Sequence, residues 1–250
     1  MALLKTAFLF LITGLTMIIF APLAILSFFL GFLGIRRQLS LVIYGVARTW
    51  ARIVIKIIRC PMTVSGREHI PRDGGVCFVS NHVGIFDIVL ALAYAGRPFG
   101  FIAKKELAYI PGLNLWIFLL GGLFIDRGKP RRALRTIASG VQKLRAGGGM
   151  LIFPEGTRSR GGGLAPFHPG SLKLAVQSQA PIVPVAITGS YGVFEKNYRV
   201  AAVPVSITFL PALNPAELPP AERKQTLAGT VHARIAAALA AGESPRNVQP

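Results

Sequence analysis

The sequence is short of several things, and each shortage removes a class of protein. Only two of its 250 residues are cysteine, too few for a disulfide framework, and Cys60 and Cys77 lack metal-ligand spacing. Cys77 stands in an apolar run, which predicts a buried, inert thiol. The four histidines (His69, His82, His168 and His232) are scattered, with no His/Cys/Asp cluster that would call for a metal. Charged residues make up 15% of the chain, and Asp plus Glu number 10 against 28 Lys plus Arg, a net +18. A surplus of that sign attracts a polyanion, either nucleic acid or an anionic membrane surface. Zinc-finger spacing and basic-zipper heptads are both missing, while 52% of the residues are hydrophobic, so the membrane is the favoured partner and nucleic acid is not. Internal repeats and low-complexity linkers are absent too. So is the Gly-x-Ser-x-Gly elbow of serine hydrolases: Ser190 precedes Gly192, but Thr188 occupies the first glycine position.

What the chain does have begins at its N-terminus. Residues 7–35 carry no charge, a run longer than the about 20 residues that cross a bilayer core as a helix. It also outlasts the roughly 7–15-residue apolar stretch of a signal peptide, so an anchor is expected rather than a cleaved leader. Pro22 lies inside the run and leaves two geometries open, a single tilted span or a broken, half-inserted element. Arg36 and Arg37 follow, then a segment in which Arg48, Arg52, Lys56 and Arg59 recur at helical spacing amid Leu, Val, Ile and Trp. Such a basic amphipathic helix suits an anionic lipid interface, the alternative being a core-packing helix with a solvated edge. Positive charge after the run predicts that the remainder faces the cytoplasm, at the inner membrane. Residues 1–60 are thus expected to be a membrane-anchoring helical segment and residues 61–250 a separate domain.

From Pro61 onward, short β-branched or aromatic runs alternate with helical stretches. The runs are MTVSG, GVCFVS, FGFIAK, GLFID, GMLIF, IVPVAIT and VSITFL. Helices are predicted over residues 85–95, 113–120, 131–145, 171–179 and 222–240, with Pro130 suited to a first helical turn. The alternation predicts an α/β domain with a mostly parallel central sheet flanked by helices.

Two segments carry chemistry. In VCFVSNHVGIFD an apolar strand ends just before His82, with Asp87 five residues on. On one ideal helix those side chains point about 140° apart. Contact therefore requires His82 in the loop, folded back over the first helical turn. Asp87 then holds one ring nitrogen and leaves the other to take a proton. Taken alone, the spacing fits a structural histidine better. In LIFPEGTRS a strand runs into a turn where Gly156 allows close backbone approach, Arg158 offers a forked cation for phosphate, and Glu155 can hold a hydroxyl or Arg158. Alone, this segment also fits a β-turn with a surface ion pair.

NHVGIFD (residues 81–87) and FPEGTRS (residues 153–159), in that order, resemble two signature blocks of the glycerolipid acyltransferases, in particular the bacterial type of 1-acyl-sn-glycerol-3-phosphate acyltransferase. AKKEL…PGLN…GGLFIDR (residues 103–127) and PIVPVAI (residues 181–187) resemble two looser blocks. The similarity covers about 130 residues. It implies an O-acyltransferase that moves a fatty acyl group from acyl-CoA or acyl carrier protein to the sn-2 hydroxyl of a lysophospholipid acceptor, yielding phosphatidic acid in phospholipid biosynthesis. No cofactor or metal is implied beyond the donor itself. His82 would be the general base and Asp87 its support. Lys105 and backbone N–H groups near Gly156 would meet the oxyanion. Lys104, Arg127 and Arg158 would hold the acceptor phosphate, with Glu155, Gly156 and Thr157 completing the substrate site. One departure stands out: in FHPG (residues 167–170) His168 occupies a place where the family pattern has Lys, which leaves room for another acceptor such as a lyso-ornithine lipid. A lipid-binding protein without catalysis is the remaining alternative. Of the cluster Arg127, Lys129, Arg131, Arg132 and Arg135, only Arg127 falls inside a block. The other four are expected to face lipid headgroups or an acidic acyl carrier protein.

Overall fold

In a computed structural model of the chain, residues 2–30, 36–168, 170–217, 219 and 226–243 are described. The predicted start of the last helix at residue 222, the end of the apolar run at residues 31–35, and Pro169 lie outside them.

The seven runs form seven strands: β1 (Met62–Ser65), β2 (Val76–Ser80), β3 (Gly100–Lys104), β4 (Leu123–Ile125), β5 (Gly149–Ile152), β6 (Ile182–Thr188) and β7 (Val205–Phe209). They make one sheet in the order β1-β7-β6-β2-β5-β3-β4. Every pairing is parallel except β6 with β7. β2 and β5 are buried along their whole length, as continuous apolar strands inside a two-sided parallel sheet should be. Alternate residues serve opposite faces. Phe78 and its partner Leu151 join one core, whereas Cys77, Val79, Met150 and Ile152 join the other.

The helices divide accordingly. α1 (Ala2–Leu30), α2 (Arg36–Ile58), α3 (Phe86–Tyr94) and α4 (Leu113–Leu119) line the first core. α5 (Pro130–Arg145), α6 (Lys173–Ser178) and α8 (Leu227–Glu243) line the second, and α7 (Ser190–Val193) is a single turn after β6. The chain leaves β2 toward β3 on one side and leaves β5 toward β6 on the other. Right-handed crossovers place α3 and α6 on opposite faces, so a crevice opens at the C-terminal ends of β2 and β5, where ligands bind in such sheets.

α2 buries Tyr44, Ala47, Ala51, Val54, Ile55 and Ile58 at helical spacing and leaves Arg52, Lys56 and Arg59 exposed. Its small Ala47 and Ala51 let α3 approach. Tyr44 Oη (3.2 Å to Leu92 O) and Arg52 Nε (3.2 Å to Ala93 O) donate to carbonyls left over at the end of α3.

α1 runs from Ala2 to Leu30 as one helix with Pro22 inside. Among the described residues, no helix is long and apolar enough to cross a membrane. α1 instead packs on the domain. Leu9 is buried, Phe10 meets Phe194 edge-on with ring centroids 5.5 Å apart, and Thr6 Oγ1 accepts the Val200 N–H at 2.9 Å. Its opposite side exposes Leu4, Phe8, Leu11, Leu15, Ile18 and Ile19, one apolar stripe at helical period.

Candidate active site

β6, β2, β5, β3 and β4 are contiguous and parallel, and the site is built from the loops leaving their C-terminal ends. From β2 comes the loop 81–85, with His82 in the loop and Asp87 in the first turn of α3. The loop turns back so that His82 Nδ1 lies 2.7 Å from Asp87 Oδ2. The same oxygen accepts the N–H groups of Val83 (2.8 Å) and Gly84 (3.1 Å), while Asp87 Oδ1 accepts the hydroxyl of Ser190. Asp87 is fully buried. Four converging donors offset the loss of its hydration.

The His82 ring stacks on Phe153, with centroids 3.9 Å apart and planes 17° off parallel. Its backbone is gripped on both sides: His82 N donates to Glu155 Oε1 at 2.6 Å, and His82 O accepts from Ser159 N at 2.7 Å. Asn81, buried next door, exchanges two 2.8 Å hydrogen bonds with the backbone of Ile187. That clamp locks the end of β2 to the end of β6 and so brings Ser190 beneath Asp87. The imidazole is therefore fixed in place, and once Nδ1 is held by Asp87, Nε2 is the nitrogen left for a proton.

His82 lines a cavity of about 1400 Å³, larger than the roughly 300–1,000 Å³ usual for small-molecule sites. It has two regions. An apolar arm runs between helices, walled by Val46 and Trp50 of α2, Ile88 and Leu92 of α3, and Trp116 and Ile117 of α4, with Thr13 and Thr16 of α1 as its lid. A cationic mouth holds Lys104, Lys105, Arg127, Arg158, Arg160 and His168, with Gly156 and Thr157 between them. A long apolar chain with a charged head fits that division.

The mouth has internal partners that the sequence did not suggest. Lys105 Nζ lies 3.0 Å from Asp126 Oδ1. That hydrogen bond raises the Lys105 ammonium above its ordinary range and holds the Asp126 carboxyl below its own. Arg158 pairs with Glu195 rather than with Glu155, and Glu195 also accepts the N–H of Ile85. Arg127 Nη1 donates to Gly156 O at 2.6 Å. Gly156 has φ +75°, a backbone state glycine adopts freely, and a side chain there would also crowd Arg127 Nη1 and the His168 ring. A Cβ added at Gly84 would lie 2.6 Å from Glu195 Oε2 and 3.0 Å from Tyr191 Cα.

Two expectations change. Glu155 does not face a substrate: it is buried, and both carboxylate oxygens are committed to backbone, Oε2 to Ala165 N at 2.9 Å. It braces the His82 loop against the loop after β5. The N–H of Gly156 is not free for an oxyanion either, because it closes the turn onto Phe153 O at 3.1 Å. Ser190 is likewise no nucleophile, being buried with its hydroxyl on Asp87. Among the described residues no group of three or more His, Cys, Asp or Glu could hold a metal.

The family model described as Acyltransferase matches residues 61–188. The 1-acyl-sn-glycerol-3-phosphate acyltransferase of Limnanthes douglasii is 34% identical over 164 residues, covering 65% of this chain and 58% of that protein. The protein of the same name from Borreliella burgdorferi is 31% identical over 150 residues, 60% of each chain. The chain thus spans about three fifths of the length of these relatives. Among solved structures, the 1-acyl-sn-glycerophosphate (LPA) acyltransferase PlsC of Thermotoga maritima superposes with a TM-score of 0.83 at 26% identity, covering 98% of both chains.

Proposed function

The chain belongs to the Acyltransferase family, and from that premise we propose that it acylates the sn-2 hydroxyl of 1-acyl-glycerol-3-phosphate with an acyl group from acyl-CoA or acyl carrier protein, giving phosphatidic acid for phospholipid biosynthesis. The observation that carries this reading is the His82–Asp87 pair set at the junction of an apolar arm and a cationic mouth. The names of the relatives support the acceptor.

In the proposed reaction, His82 Nε2 takes the proton of the acceptor hydroxyl as its oxygen attacks the thioester carbonyl. Asp87 supports the imidazolium that forms. The new C–O bond creates a tetrahedral oxyanion. Lys105 has three donors and uses one on Asp126, so it is the proposed oxyanion partner. Collapse breaks the C–S bond, and His82 returns its proton to the departing sulfur. No covalent acyl-enzyme forms, and no cofactor beyond the acyl donor takes part. Arg127, Arg158 and Lys104 hold the acceptor phosphate; for Arg158 this means exchanging Glu195 for a doubly charged anion. Because Glu155 is committed to backbone, Thr157 and His168 are the hydrogen-bonding groups left beside the glycerol.

The exposed stripe of α1, with Leu41, Val42 and Ile53 of α2, docks the enzyme on the membrane, with the cations of α2 at anionic headgroups on the cytoplasmic side. Residues 1–60 would thus anchor and also close the acyl arm. A panel of lyso-acceptors offered with one labelled acyl-CoA tests the assignment. The highest kcat/KM is expected for 1-acyl-glycerol-3-phosphate, and a preference for a lyso-ornithine lipid would overturn the acceptor.

A further inference from the structure

Beside the mouth lies a second cavity of about 530 Å³, walled by Lys129, Arg132, Arg135 and Thr136 on one side and by Lys105, Tyr109 and Asp126 on the other. Lys105 and Asp126 line both cavities, so the two adjoin at that ion pair. Positions 129, 132, 135 and 136 fall on one face of α5 and its approach. The four basic residues that follow Arg127 are therefore not one patch: three of them line this hollow, and Arg131 does not.

The charge in the cavity is unbalanced. Asp126 is its one acid; it is bonded to Lys105 at 3.0 Å, and Arg132 Nη1 reaches it only at 3.9 Å. Four cations against one carboxylate leave three positive charges facing each other across a small space. They also crowd the N-terminal turns of α5, whose first turn holds no acidic residue, although cations there oppose the helix dipole. A local arrangement that runs against helix electrostatics calls for a compensating anion. Tyr109 is 81% exposed and presents an aromatic face at the rim.

The proposed reaction supplies such an anion. An acyl thioester whose chain occupies the apolar arm and whose carbonyl lies at His82 must lead its polar end out past the mouth. Coenzyme A ends in a diphosphate and a 3′-phosphate, the latter bearing about −1.5 to −2 charges, and its adenine has a face to stack on an aromatic ring. We propose that this cavity is the binding site for the 3′-phosphoadenosine diphosphate end of an acyl-CoA donor, with Lys129, Arg132 and Arg135 on its phosphates and Tyr109 beside its base. The hollow is open but small, about 530 Å³ beside the mouth, which fits the polyphosphate end of a ligand already seated at His82, whereas an acidic carrier protein would need a broad contact area of about 800 Å² per partner. The inference rests on the acyl-transfer reading above.

The test uses the detergent-solubilised full chain, palmitoyl-CoA, palmitoyl-3′-dephospho-CoA and a palmitoyl carrier protein, with 1-acyl-glycerol-3-phosphate as acceptor. The double variant Arg132→Gln/Arg135→Gln is expected to raise KM for palmitoyl-CoA by about tenfold or more, the loss of at least one charge-assisted hydrogen bond. KM for the acceptor should not move. The wild-type enzyme should lose a similar factor with the 3′-dephospho donor, and the variant should be indifferent to that phosphate; this arm needs no altered fold. Unchanged KM for palmitoyl-CoA in an active variant overturns the site. A loss confined to the carrier-protein donor assigns the cavity to a protein and overturns it too, and so does a loss of binding to anionic vesicles with donor KM intact. A wild-type protein that transfers no acyl group from any donor is the separate failure of the acyl-transfer reading.

Discussion

Replacing Asp87 by Asn separates charge from shape. The side chains match in volume, and one orientation preserves most contacts: the amide oxygen accepts from His82 Nδ1, Val83 N and Gly84 N as Oδ2 does now, while the amide NH2 turns toward Ser190, whose hydroxyl can reverse to accept. The tautomer of His82 then survives. What disappears is the negative charge that supports the imidazolium in the transition state. With the two charges about 4 Å apart at an effective dielectric constant near 20, the attraction is about 4 kcal/mol. Losing it lowers kcat by roughly 10³-fold. Single-turnover transfer of a labelled acyl chain to 1-acyl-glycerol-3-phosphate measures this, with a thermal melt as the control for folding. A variant that melts like the parent yet loses less than tenfold in kcat would refute Asp87's electrostatic role and leave it only a loop-fixing one.

Other outcomes follow from neighbouring geometry. Glu155→Gln sets an amide NH2 against one of the two backbone N–H groups now bonded to the carboxylate, costing about 1–3 kcal/mol; the melting temperature should fall by several degrees and kcat should fall with it, and parental values for both would exclude the bracing role. Burial pushes the Cys77 thiol up to about 12 and raises Cys60 as well, so iodoacetamide near pH 8 should alkylate neither in the folded enzyme, as read by mass spectrometry, whereas rapid alkylation of Cys77 would contradict its burial. Lys105 is raised and Asp126 lowered by their mutual hydrogen bond. Their pairing is therefore complete below the ordinary lysine value and above the ordinary aspartate value, and is lost only outside that window. An amine reagent at about pH 9 should label Lys105 more slowly in the parent than in Asp126→Asn, and equal rates would dismiss the pair.

The sheet was legible because each of its seven strands is a short apolar run bounded by turn residues, and the interior strands had the continuous hydrophobicity of a parallel sheet. His82, Arg127 and Arg158 stand in loops after such runs and Asp87 in the helical turn that follows one, which is why the sequence drew attention to them. What could not be read locally is what those side chains touch. Ser190 lies 103 residues from Asp87, and Glu195 lies 110 from Ile85; nothing in their own neighbourhoods marks them, and only the parallel order of β2 and β6 brings them in. Glu155 resembled a ligand because its segment is glycine-rich and basic, yet its burial turned the carboxylate onto backbone. The apolar N-terminus led to the expectation of a membrane anchor. Its composition did not reveal that Leu9 and Thr6 dock on the domain, or that Thr13 and Thr16 cover the arm.

The central claim is direct transfer with His82 as the base, and His82→Ala on the full chain tests it most directly. Removing the imidazole should cut transfer from labelled acyl-CoA to 1-acyl-glycerol-3-phosphate by about 10²–10⁴-fold, with folding, vesicle binding and acceptor affinity retained. Transfer within a few-fold of the parent in a folded His82→Ala protein would contradict the account.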